Sequence, residues 1–135
     1  VQQYFRNVDE ADPQKKNLLI TARAIGFIDL AGAELLAKEA TRRRKLGGGL
    51  YLVGVQPDLC TMLRRSGQVD TIGEEQIFRH KGDALQAIYP RLDNEICRTC
   101  TARIFSECHI ALPDGTPRSL SDRELAARAT TATAA

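Results

Sequence analysis

The sequence predicts a small α/β protein, a sheet of mainly parallel strands flanked by helices. Three observations predict it. Two short apolar runs, Leu18 to Thr21 and Leu50 to Val55, suit strands buried on both faces. Each is followed by a stretch with helical start and stop signals. Strands and helices therefore alternate, which favours parallel pairs joined by right-handed crossovers. At 135 residues the chain has the length of one domain and can bury a real core.

The elements follow in order. Val1, Tyr4, Phe5 and Val8 recur at helical spacing and predict a helix over 1–12. "PQKKN" is a loop, and "LLIT" is the first strand. "ARAIGF" leads into a turn at which Asp29 caps a helix from Leu30 to Leu46, with Leu35, Leu36 and Ala40 on its apolar side. That helix ends in Arg42, Arg43, Arg44 and Lys45, a solvated basic end that complements the negative pole of the helix. Gly47 to Gly49 stop it, and Leu50 to Val55 form the second strand. Pro57 suits the first position of a helix over 57–67 that ends at Ser66-Gly67. Residues 70–80 read as a loop with a short strand from Gln76 to Phe78. A further helix over "KGDALQAIYPRL" is capped by Asp83 and halted near Pro90. The α/β pattern thus spans 1–94. A cysteine-bearing segment occupies 95–112, and a tail over 113–135, ending in Ala and Thr without apolar periodicity, is expected to be disordered.

Composition narrows the function. A net charge of +2, 5% aromatics and no Trp give no base-stacking platform and argue against nucleic acid. No apolar run approaches the ~20 residues of a membrane span. The first residue is Val rather than Met, so the chain is expected to belong to something longer. No Ser/His/Asp set, carboxylate pair or Gly-rich phosphate loop with Lys is present, so no catalytic residue is assigned. The chain has 4 cysteines in a sequence with its own apolar segments, which points to a reducing compartment rather than a disulfide scaffold.

Four motifs then stand in a telling order: Ile28-Asp29 with Gly32, Gly54-Val55-Gln56-Pro57 after a strand, Leu63-Arg64-Arg65-Ser66-Gly67, and Ile72-Gly73-Glu74-Glu75. Over Leu18 to Leu92 this order resembles a STAS domain, and within that group the C-terminal cytoplasmic domain of SulP-type anion transporters. The resemblance implies a compact α/β fold with no enzymatic activity and no required cofactor. It implies a regulatory and interaction role beside the membrane domain of a parent transporter of sulfate, bicarbonate or a similar anion. The location implied is the cytoplasmic side of the inner or plasma membrane, with a nucleotide or protein partner. Members of the family usually begin with strands before the first helix, whereas this chain begins inside what resembles that helix. The first strands are therefore expected upstream, and the sheet edge left open invites a second copy, a homodimer. In the related anti-sigma-factor antagonists, the same turn carries a phosphorylatable serine just before the glycine. Here that position is Ala31, and Leu30 has no hydroxyl either. The departure counts against the antagonist reading, and a stand-alone signalling protein remains the alternative.

Two stretches are candidate sites. Asp29, Leu30, Ala31 and Gly32 open a helix whose free N–H groups and positive pole suit an anion or a nucleotide phosphate. The plainer reading, a capping Asp29 and a closely packed Gly32, is favoured, because the cap is acidic and no Lys or Arg follows in the first turn. The second stretch is Cys97-x2-Cys100-x7-Cys108-His109. Two thiolates at this spacing suit Zn, with Cys108, His109, Cys60 or a second chain completing the set, or an Fe–S cluster. The alternatives are redox-active thiols, or three partly buried thiols on a C-terminal helix that packs through Ile96, Ile104 and Phe105. The basic run Arg42 to Lys45 has a sharper reading as a contact for an acidic protein partner or anionic lipid heads.

Overall fold

The computed structural model describes residues 2–11 and 16–118. The chain divides after Leu85 into two compact units. The first holds α1 (Gln2–Ala11), β1 (Asn17–Thr21), α2 (Leu30–Lys45), β2 (Gly49–Val53), α3 (Pro57–Arg65), α4 (Gln68–Ile72) and β3 (Ile77–Phe78), and α5 (Lys81–Ile88) runs across the division. The sheet has the order β1-β2-β3, and both pairs are parallel. Asn17 lies opposite Gly49 and Leu52 opposite Ile77. The expected α/β class is therefore observed.

The central strand β2 is buried along its whole length, as its apolar sequence requires. Leu50 and Leu52, two residues apart, project to one face. There they join Leu36, Ala40, Leu59, Leu63, Ile72 and Phe5 in one apolar cluster. The buried positions Ala33, Leu36, Ala37, Ala40 and Arg43 of α2 recur three and four apart, which makes a single stripe. Three of them are alanines, which let the helix come close.

The glycine run after α2 has two tasks. Gly47 is left-handed at φ +86°, and its N–H bonds to the Arg44 carbonyl while the Gly48 N–H bonds to that of Arg43. This is a Schellman ending, satisfying two helix carbonyls. Gly48 then passes so close to the start of β1 that a Cβ there would lie 2.1 Å from the Lys16 carbonyl oxygen.

Four expectations change. The basic end of α2 is solvated only in part: Arg44 and Lys45 are exposed, but Arg43 is fully buried, and its Nε donates to Glu39 Oε1 at 2.7 Å. Arg42 also bonds Glu39, and Arg44 donates to the Ile72 carbonyl at the end of α4. Arg44 thus ties α2 to α4, while Arg42 and Arg43 bond within α2. Second, residues 68–72, which reach into the expected loop, form α4, and Glu74–Gln76 form a 3-10 turn before β3. A helix of one and a half turns shows no periodicity to read. Third, α5 begins at Lys81, so Asp83 sits within its first turn and does not cap it. There its charge still favours the positive helix pole. Fourth, the three clustered cysteines do not share one helix.

The second unit contains α6 (Asn94–Thr99), a 3-10 turn at Ser106–His109, and an antiparallel bridge between Ala111 and Pro117. Asp93 caps α6 by accepting the N–H groups of Glu95 and Ile96. Pro113 to Arg118 complete a turn in which the Leu112 N–H bonds to the Thr116 carbonyl. The rest of the tail expected to be disordered lies outside the described residues. Among the described residues, no strand pairs with the outer edge of β1 or β3.

Candidate functional site

The turn before α2 is built by its own short side chains. Asp29 has an extended backbone, and its Oδ1 accepts the Gly32 N–H at 2.8 Å. One of the free N–H groups at the helix start is thereby used. Gly32 gives the cap room: a Cβ would lie 3.2 Å from Asp29 Oδ1 and 3.3 Å from Ile28 Cβ. Ile28 anchors the turn by packing on the core. Its neighbours point the other way. Phe27 is 78% exposed and Leu30 51% exposed, with Ala31 also on the surface.

An open hollow of about 730 Å³ lies beside the turn, lined by Gln3 and Arg6 of α1 and by Asp29, Gly32, Glu34 and Lys38. Two cations face two carboxylates, so the hollow carries no net charge to draw in a phosphate. Sequence reasoning missed Arg6 and Lys38. Lys38 is legible as the i+4 neighbour of Glu34 on one helix face. Arg6 has no sequence signal, because the fold alone brings α1 to this place. The structure thus gathers Asp29, Leu30, Ala31 and Gly32 in one exposed turn, and it gives them an apolar rim.

In the second unit Cys97 lies on α6, Cys100 caps its C-terminus, and Cys108 and His109 lie in the 3-10 turn. All three thiols are half-buried and free. The buried Arg118 ties this region together, with its Nε donating to the Cys108 carbonyl at 2.9 Å and its Nη2 to the Cys97 carbonyl at 3.0 Å. Tyr89 donates its hydroxyl proton to the Ala111 carbonyl at 2.5 Å. Burial pushes the Cys97 thiol up from its ordinary range, and the neighbouring Cys108 and Cys100 add to the push. Cys100 is held below that range by the backbone N–H groups of Arg103 and Ala102, with help from the Arg118 and Arg103 charges. Among the described residues, no three His, Cys, Asp or Glu side chains gather as a metal-binding group. Cys60 lies on α3, in the first unit.

A family model for the STAS domain matches residues 3–84. No curated protein matches the chain. The match ends at the division between the two units and includes the turn before α2 but not the cysteine segment. Among the described residues, no helix is long and apolar enough to cross a membrane.

Proposed function

This chain belongs to the STAS domain family, and on that premise we propose that it is the regulatory and interaction module of a SulP-type anion transporter. STAS domains are generally non-catalytic, and a regulatory or interaction role is their common property. The module works on the cytoplasmic side of the membrane, with the membrane domain of the same parent protein as its partner. The observation that carries the reading is the turn before α2. Its serine position is Ala31, so no phosphate is added there, and its rim presents Phe27 and Leu30 to the outside. Large exposed apolar side chains grouped on one turn are what a protein partner covers. An anion or nucleotide is the poorer fit to the same turn, because Asp29 and Glu34 offset Arg6 and Lys38 in the adjoining hollow.

The test is the reading frame upstream of Val1. A continuous frame that codes for a series of apolar spans of ~20 residues each is expected. A frame that begins only a strand or two upstream would contradict the transporter reading and favour the stand-alone signalling protein.

A further inference from the structure

We infer that Cys97 and Cys100 form a dithiol site that exchanges with low-molecular-weight disulfides. The inference rests on the second unit and is independent of the transporter reading. The backbone sets the pair up. Thr99 is still helical, so the Cα of Cys100 continues the path of α6. Three residues on a helix of 1.5 Å rise and 2.3 Å radius place the two Cα atoms about 5 Å apart. That falls within the range of about 4.4–6.8 Å that a disulfide spans.

The loop after the helix distinguishes the two sulfurs. The Cys100 thiol is held below its ordinary range, chiefly by the backbone N–H groups of Arg103 and Ala102. Arg103 takes a left-handed conformation, with φ +43°, unusual for a residue with a side chain. Successive N–H groups bent around one atom in this way form a concavity that holds negative charge. Cys97 differs, because burial holds its thiol above the ordinary range. It sits on the helix among its thiol neighbours, with its carbonyl held by Arg118.

The exchange follows from this asymmetry. The Cys100 thiolate attacks one sulfur of the small disulfide. A Cys100 mixed disulfide forms, and one thiolate leaves. Cys97 then gives its proton to water and attacks the Cys100 sulfur. The Cys97–Cys100 disulfide forms, and the second thiolate leaves. Two protein thiols are oxidised, and one small disulfide is reduced to two thiols.

The sequence supplies a direct readout. Cleavage after Arg91, Arg98, Arg103 and Arg118 puts Cys97, Cys100 and Cys108 in three separate tryptic peptides. The reduced chain is treated with glutathione disulfide, its remaining thiols are alkylated, and the digest is weighed. The expected product joins the peptide of residues 92–98 to that of 99–103, and dithiothreitol separates them. Cys108→Ser retains this product. Cys97→Ser stops with glutathione on Cys100, and Cys100→Ser loses the product. Glutathione kept on Cys100 of the unaltered chain, a link from either cysteine to the Cys108 peptide, or no modification at all would each overturn the inference.

Discussion

Arg43 and Glu39 decide more of the stability of the first unit than their place in a charged run suggests. Both side chains are almost wholly removed from water, and each needs the other. Glu39→Ala removes the carboxylate that the buried Arg43 guanidinium bonds at 2.7 Å. The expected loss is about 3–5 kcal/mol, read by urea unfolding. Arg42 bonds the same carboxylate but keeps 41% of its side chain exposed. Arg42→Ala therefore costs well under half of that, about 0.5 kcal/mol. Equal losses in the two variants would contradict the burial of Arg43. The sequence does not separate these neighbours. Charge alone says surface for both, and only the helical stripe through Ala33, Ala37 and Ala40 would have placed Arg43 inside. Asp29, by contrast, was legible, because a carboxylate three residues ahead of the N–H it receives is a local arrangement.

At the scale of elements, the joint between α2 and β2 fixes the position of the candidate turn. The Schellman ending aims the chain back into the sheet, and Gly48 lets it pass beside Lys16 at the start of β1. Gly48→Ala places a methyl group on a backbone carbonyl that has no flexible end to move aside. The expected cost is about 1–3 kcal/mol, with faster hydrogen exchange of the β1 amides as the local signature. An unchanged melting curve and exchange pattern would refute the close approach. The long helix and the two full strands were legible, since each carries its own periodicity and punctuation. The short α4 was not, because five residues between Gly67 and Gly73 give no period to count. The loop at 101–105 was equally hidden. A left-handed Arg103 has no sequence mark, yet it sets the environment of Cys100.

For the whole molecule, the two compact units carry different proposals. The first matches the STAS family and presents the apolar turn. The second lies beyond the match and holds the thiols. The central claim is that Phe27 and Leu30 on the first unit act on a membrane partner. It is tested most directly by anion uptake in the full-length parent, comparing the unaltered protein with a Phe27→Asp/Leu30→Asp variant. Both residues are already exposed, so the exchange costs the fold little, within about 0.5 kcal/mol at each site. Uptake of sulfate or bicarbonate by the unaltered protein, and a clear fall in the variant at equal membrane abundance, is the predicted result. Equal uptake by the two proteins, or none of either anion by the unaltered one, would contradict the account.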